Sequence, residues 1–361
     1  MFDSQVAINY LQDHGGKPMV KKRSNAAKSD VGGRVVAVTG TSEQLGSGLI
    51  GLMDSDPAYR RILAVDVRDP GELSPKASFH YVDLTTPEAG KELAEIFKAN
   101  QVDTLAHLAF LSNPAHDPTY AHELQVAGTM HVLNAAAAAQ LRKVVMLGTV
   151  MVYGARYDNP NFLTEEAPLR AADSNGFMAD LLDVERQFWD FSKRRPDTVC
   201  TMLRMGARLG PQVDTFFSRM LVRPVVPTVM GYDPLIQLLH EKDALISLKI
   251  AMDNDHRGPF NIVADGVIPL STIIKLAGRF TLPIPHFMGK KLGGFLWASQ
   301  ITTVPPDFLD YLKYLWVADG TKARKQMGMR YQYSTRDTIL DWARIERINA
   351  EKADSSHEVT P

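Results

Sequence analysis

From residue 34 to about residue 204 the chain alternates short apolar runs with amphipathic stretches of helical length. That alternation is the pattern of βαβ units, whose parallel strands are buried on both faces and so read as near-continuous hydrophobic runs. The spacing predicts strands over 35–39, 61–65, 79–82, 104–108, 143–147 and 199–204, and helices over 91–100, 120–139 and 177–193. The alanine run at 135–139 combines high helix propensity with little bulk, which suits a helix lying close on a sheet. The expected class is α/β, with a doubly wound parallel sheet.

Past Gly210 the rhythm changes. Pro211, Pro224, Pro227 and Pro234 crowd the sequence and loops interrupt the alternation. A first domain over 34–210 is therefore expected, with a smaller lobe over 211–348 interleaved with its last strands. Residues 1–33 read as a loosely ordered leader. Its basic stretch Met19-Val20-Lys21-Lys22-Arg23 is not followed by the apolar segment of a signal peptide. The polar, acidic stretch 349–361 reads as a tail that frays. No apolar run approaches the roughly 20 residues needed to span a bilayer, so a soluble, cytoplasmic chain is expected.

Composition changes this picture little. Of 361 residues, 45% are hydrophobic and 22% charged, ordinary globular values. A net charge of −1 gives no global field to recruit nucleic acid. The lone Cys200 excludes an internal disulfide and, within Val199-Cys200-Thr201-Met202-Leu203, reads as a buried structural thiol.

The first chemistry lies in Val38-Thr39-Gly40-Thr41-Ser42-Glu43-Gln44-Leu45-Gly46, which follows a predicted strand and opens a helix. In that context a glycine-rich loop cradles a diphosphate on a helix N-terminus. Gly40 allows the tight turn, Gly46 lets helix and strand pack closely, and Thr41, Gln44 and Leu45 complete the candidate binding loop. Asp66 ends the second strand, where an acid bonds a ribose hydroxyl and disfavours a 2′-phosphate. NAD is thus expected over NADP, a preference that Arg68 softens. Glu43 is the objection, because it occupies the middle-glycine position of the loop. A side chain there strains the backbone by about 1 kcal/mol if the turn needs glycine. A carboxylate ~4 Å from a phosphate repels it by about 1 kcal/mol in water and about 4 at a partly buried surface. The helix terminus returns about 0.3–2 kcal/mol.

The order of short motifs now resembles the extended short-chain dehydrogenase/reductase family, which contains nucleotide-sugar epimerases and dehydratases and 3β-hydroxysteroid dehydrogenases. The matching pieces are Thr39-Gly40 with Gly46, Val65-Asp66, Val82-Asp83-Leu84, His107-Leu108-Ala109 and Val126-Ala127-Gly128-Thr129. Val152-Tyr153-Gly154, Leu203-Arg204 with Gly210-Pro211, and His240-Glu241-Lys242-Asp243-Ala244 continue the order. Asp319-Gly320-Thr321-Lys322-Ala323-Arg324 and Met327-Gly328 look like the family's last helix. The resemblance implies a Rossmann domain with an interleaved substrate lobe. It implies Asp83 and Leu84 beside the adenine, and Leu108 and Ala109 along the cofactor cleft. It also implies a homodimer paired through the helices near 120–139 and 177–193.

The family's catalytic set is a Ser or Thr followed by Tyr-x-x-x-Lys. Thr149 matches the first position. Aligned through Glu185, the tyrosine position holds Phe177 and the lysine position holds Leu181. Phe177 has no ionisable group and Leu181 offers neither charge nor hydrogen bond. Losing a general acid/base costs about 10²–10⁴ in rate. The two positions are four residues apart on one helix face, so replacing both leaves no orphaned polar partner. Tyr153, Tyr157, Asp180 and Asp183 are the nearest replacements; Tyr153 reads as packing and the aspartates as solvent-facing. His240, Glu241 and Asp243 read as a helix anchor, and His116, Asp117 and His122 as surface groups; none has metal-ligand spacing.

In the C-terminal lobe, Phe287, Phe295, Leu296, Trp297, Phe308, Tyr311, Tyr314 and Trp316 crowd together. Core and subunit packing is the plain reading. An apolar substrate pocket, or a peripheral membrane patch with Lys290 and Lys291 beside Gly293-Gly294, is the sharper one. Two functions stand. One is an NAD-dependent epimerase, dehydratase or dehydrogenase of diminished or altered activity, acting on a nucleotide-sugar or a lipid or steroid alcohol. The other is a non-catalytic module that senses nicotinamide cofactor or binds a ligand or partner.

Overall fold

The computed structural model describes residues 33–285, apart from positions 70, 72, 116 and 172–175, and residues 306–357. The expectations placed on His116 and on 287–297 lie outside the described residues. Strands β1 (Arg34–Thr39), β2 (Tyr59–Asp66), β3 (Ala77–Tyr81), β4 (Thr104–His107), β5 (Lys143–Thr149) and β6 (Val199–Met205) match the hydrophobic runs to within two residues. The remaining strands are β7 (Ala207–Leu209), β8 (Val225–Val229), β9 (Leu235–Ile236), β10 (Leu238–His240), β11 (Gly258–Ile262), β12 (Ile268–Pro269) and β13 (Phe280–Ile284).

Seven of these form one parallel sheet in the order β11-β6-β5-β4-β1-β2-β3. The doubly wound expectation holds. The hydrophobic pattern missed β11, which pairs along β6 from Gly258↔Thr201 to Ile262↔Met205. Its sequence begins Gly-Pro and includes Asn261, so it carries no continuous apolar run.

Side chains alternate across the sheet, as a strand's period of two demands. Val35, Ala37, Leu63 and Val65 enter the core beneath α2 (Ala89–Ala99), α4 (Gly128–Ala138) and α5 (Gly176–Arg194). Val36, Val38, Ile62 and Ala64 enter the opposite core, beneath α1 (Gln44–Asp54) and α7 (Glu241–Asp253). Both faces are covered, so the central residues of β1 and β2 are apolar on both sides of the sheet. Cys200 is buried in the first of these cores, and burial raises its thiol above the ordinary value. The predicted single helix over 120–139 is instead α3 (Pro118–His122), a π turn Glu123–Ala127 and α4.

A third core gathers Phe216, Phe217, Phe308, Tyr311, Trp316 and Trp342 from the second lobe. It is framed by α6 (Phe216–Val222), α8 (Leu270–Leu276) and α9 (Thr335–His357). The chain past 349 is thus helical as far as His357, not frayed at its start. Among the described residues no helix is long and apolar enough to cross a membrane.

Candidate functional site

Strand β1 has β2 on one side and β4 on the other, so the chain winds in opposite directions from it. In open α/β sheets a crevice forms at the C-terminal end of such a strand. The turn after Thr39 lies there. Gly40 has φ +74°, and a Cβ on it would stand 2.7 Å from the backbone of Leu108 and Ala109. A Cβ on Gly46 would run into the carbonyl oxygen of Gly40 and stand 2.7 Å from Thr41 Cα. Both glycines are therefore required by backbone contact. Glu43 is different: its φ of −86° and ψ of 157° are ordinary extended values, so its side chain adds no strain. It is exposed, makes no capping hydrogen bond, and borders a side cavity with Ser112, Asn113, Asp214 and Arg219.

Several features fit a dinucleotide at this loop. Thr41 Oγ1 and both polar ends of the Gln44 amide are buried without a protein partner. The start of α1 directs its unpaired backbone N–H groups into the crevice. Leu45 is buried in the core, which leaves only its backbone to the loop. Asp66 Oδ2 accepts from Ser42 N at 2.9 Å, and Oδ1 accepts from Val67 N at 2.8 Å and Arg68 N at 3.2 Å. A carboxylate has about four acceptor sites, so this one can hold the loop and still accept a hydroxyl. Asp83 Oδ1 accepts from Thr85 N and Oγ1 at 2.9 and 2.7 Å, closing its own turn. Leu84 and Leu108 are buried and Ala109 is half-buried beside them. Beneath the loop, His107 bridges Thr39 Oγ1 at 2.7 Å and Thr129 Oγ1 at 3.2 Å. Burial pushes its imidazole down to about 3, so it is neutral and serves as a strut between β1 and α4.

The crevice continues into a cleft at the ends of β5 and β6, roofed by the second lobe. Thr149, Phe177 and Leu181 all line it. The three positions aligned with the catalytic set are thus brought together, although α5 begins 27 residues after Thr149. Thr149 Oγ1 accepts from Met151 N at 3.2 Å. Phe177 packs on Phe308 at 6.2 Å between ring centroids, and Phe308 on Phe216 at 5.3 Å. Among the described lining residues there is no Asp, Glu, His, Lys, Tyr or Cys.

One cation is there that the sequence reading missed. Arg208, on β7, lines the cleft and donates from Nη2 to Ser112 Oγ at 3.0 Å. Burial pushes its guanidinium down to about 10, partly offset by the charge of Glu43. It remains charged at neutral pH. Its signal was faint: a single arginine between the Leu203-Arg204 and Gly210-Pro211 pieces.

The other candidates are structural. Tyr153 is buried, accepting from Arg204 Nη1 at 2.7 Å and donating to Asn261 Oδ1 at 2.8 Å. Burial pushes its phenol up to about 12. Arg204 also pairs with Glu185 in the same buried network. Tyr157 is 86% exposed. Asp183 is half-buried and pairs with Arg186. Asp180 corrects the solvent-facing expectation: it is buried and bonded to His122 Nδ1 at 2.7 Å, because the π turn brings α3 against α5. None of these four lines the cleft. His240 caps α7 by accepting from Lys242 N, stacks on Tyr333 and contacts Asp341 at 3.2 Å, as a helix anchor should.

Comparison with known proteins agrees with this geometry. The model of the NAD dependent epimerase/dehydratase family matches residues 36–262. An uncharacterized protein of Mycobacterium tuberculosis, Rv0501, is 35% identical over 86% of this chain and 84% of its own. The UDP-glucose 4-epimerase of Dictyostelium discoideum is 30% identical over 37% of each chain. Among solved structures, the UDP-glucose 4-epimerase of Thermotoga maritima with UDP-glucose superposes with a TM-score of 0.68 at 18% identity, covering 88% of this chain and 99% of that one. The dTDP-glucose 4,6-dehydratase of Bacillus anthracis in complex with NAD gives 0.67 at 15% identity, covering 88% and 98%.

Proposed function

This chain belongs to the NAD-dependent epimerase/dehydratase family, and from that premise we propose that it holds NAD in the crevice above β1 and a largely apolar ligand in the adjoining cleft, without the family's tyrosine–lysine proton transfer. The observation that carries this reading is the meeting of Thr149, Phe177 and Leu181 on one cleft. A bound nicotinamide supplies hydride chemistry. The chain's own residues do the rest. Gly40 and Gly46 let backbone approach the diphosphate, and Asp66 receives a ribose hydroxyl. Its charge favours NAD over NADP, with the exposed Arg68 as the opposing influence. Thr149 offers a hydroxyl to the ligand, while Phe177 and Leu181 exclude water.

A carbon that gives up hydride must also lose a hydroxyl proton. No phenol or ammonium among the described lining residues receives it. The apolar walls support a lipid or steroid alcohol, or a related ligand, more than a sugar. The protein is read as a cofactor-dependent binding module whose turnover is absent or slow. Pairing through α4 and α5, where Met130 is 46% exposed, would make it a homodimer; light scattering measures that directly.

The test is a titration with NADH followed by nicotinamide fluorescence, then Phe177→Tyr and Leu181→Lys together. The unaltered chain should bind NADH and, supplied with NAD+ and an alcohol, should form no NADH, whereas the double variant should gain this activity. Equal turnover by both proteins defeats the non-catalytic reading. Failure to bind NADH defeats the cofactor reading.

A further inference from the structure

Arg208 is a charged side chain in a cleft whose other walls include Leu147, Phe177, Leu181, Phe216 and Phe308. A charge taken from water into such surroundings requires a partner. Ser112 Oγ supplies one hydrogen bond, and no carboxylate pairs with Arg208 among the described residues. A guanidinium carries five N–H donors in a planar fork, so most of its donor capacity faces the cleft or solvent. The neighbouring arginine shows the contrast: Arg219 is held by both oxygens of Asp214. Glu43 acts on Arg208 only through its field.

The backbone that carries the fork is held in place, and Ser112 fixes one of its nitrogens. Strand β7 pairs with β10 through Arg208↔Leu239, and the Arg208 carbonyl accepts from Thr215 Oγ1 at 3.0 Å. A cation without a paired carboxylate, set over an apolar floor, is complementary to an amphipathic anion.

We infer that the cleft takes an apolar molecule bearing one carboxylate or phosphate group, with Arg208 and Ser112 gripping that head group and the Phe177–Phe308–Phe216 wall receiving its body. This rests on the reading that the cleft binds a ligand beside the cofactor. It goes further by assigning the ligand's charge and the residue that selects it. Arg208 then sets specificity: neutral alcohols lack the group it recognises, and sugars lack the surface the walls recognise.

Calorimetry on the full chain, with and without saturating NADH, tests the assignment using decanoate, decyl phosphate, decanol and UDP-glucose. A hydrogen-bonded charge contact of about 1.5–3 kcal/mol makes at least one anionic probe bind about 10- to 100-fold tighter than decanol. Comparing the two anions tells which head group is preferred. Arg208→Met should erase the margin over decanol, and Arg208→Lys should keep part of it, while decanol still binds both variants as a check that the cleft is intact. NADH affinity of Arg208→Met, measured without probe, should stay within about threefold of the unaltered chain. Equal binding of decanol and the anions, tighter binding of UDP-glucose, or a margin that survives Arg208→Met each overturns the inference. So does a loss of NADH affinity in Arg208→Met, which would make the cofactor's own diphosphate the partner of Arg208. Because amphiphile binding is also read without NADH, failure of the cofactor reading is seen separately.

Discussion

Three glycines on α1 meet three different surroundings, and substituting each by alanine separates the roles of loop, packing and helix. A Cβ on Gly46 stands 2.7 Å from Thr41 Cα, about 0.7 Å short of the ordinary 3.4 Å contact, and it also collides with the Gly40 carbonyl. Neither atom belongs to a flexible side chain, so the loop between β1 and α1 must itself move. Overpacking of this kind costs about 1–3 kcal/mol. If the shift breaks one charge-assisted bond to a diphosphate, NADH affinity falls a further 10- to 100-fold or so. Gly48 is intermediate: its Cβ would stand 2.9 Å from both methyls of Leu245, which can yield by a rotamer change. Gly51 is exposed with nothing within 4 Å of its Cβ. In mid-helix, Gly51→Ala should stabilise by about 0.5–1 kcal/mol through lost unfolded-state freedom. Chemical denaturation and NADH fluorescence titration on the three variants give the two readouts. The expected pattern is Gly46→Ala unstable and weak-binding, Gly48→Ala mildly unstable with normal binding, and Gly51→Ala stabilised with normal binding. If Gly46→Ala binds NADH as tightly as the unaltered chain, the loop is not the cofactor cradle.

Burial pushes the Asp243 carboxyl up to about 6, although it accepts from Gln332 N and Tyr333 N. Between the unfolded value near 3.9 and about 6 the folded chain binds a proton that the unfolded chain does not, so this group's contribution falls as pH rises, by up to about 3 kcal/mol. The stability of the unaltered chain relative to Asp243→Asn should therefore decline between about pH 4 and 6 and level off above; a difference independent of pH contradicts the assignment. Tyr153→Phe leaves Arg204 Nη1 and Asn261 Oδ1 each short of a buried partner and should cost about 1–3 kcal/mol in denaturant titrations. Its NADH affinity should be unaltered, since the phenol belongs to the β6–β11 seam and not to the cleft.

The sheet was legible because its strands carry their own signal. Runs such as Val35-Val36-Ala37-Val38 are apolar on both faces, and this one leads through a short turn into the helical stretch of α1. The glycines at 40 and 46 were legible for a similar local reason, since strand, turn and helix are contiguous there. The cleft was not. Thr149, Phe177, Arg208 and Phe308 come from four distant parts of the chain, and only the folded packing of β5, α5, β7 and the second lobe assembles them. The alignment with a catalytic set found the first two, but Arg208 and Phe308 match no motif. The burial of Asp180 was hidden for a different reason: it depends on the π turn at Glu123–Ala127, whose sequence reads as continuous helix.

Strand β11 has a consequence for how the protein is made. It closes the outer edge of β6, yet it lies more than fifty residues further along the chain, beyond α6 and α7. While a ribosome has delivered only the segment through β6, that strand presents an unpaired row of N–H and C=O groups, the kind of edge on which other chains nucleate. The nascent first lobe is therefore exposed to mispairing until residue 262 has emerged. Edge protection thus precedes completion of the cleft, because Phe308, which lines it, is delivered later still.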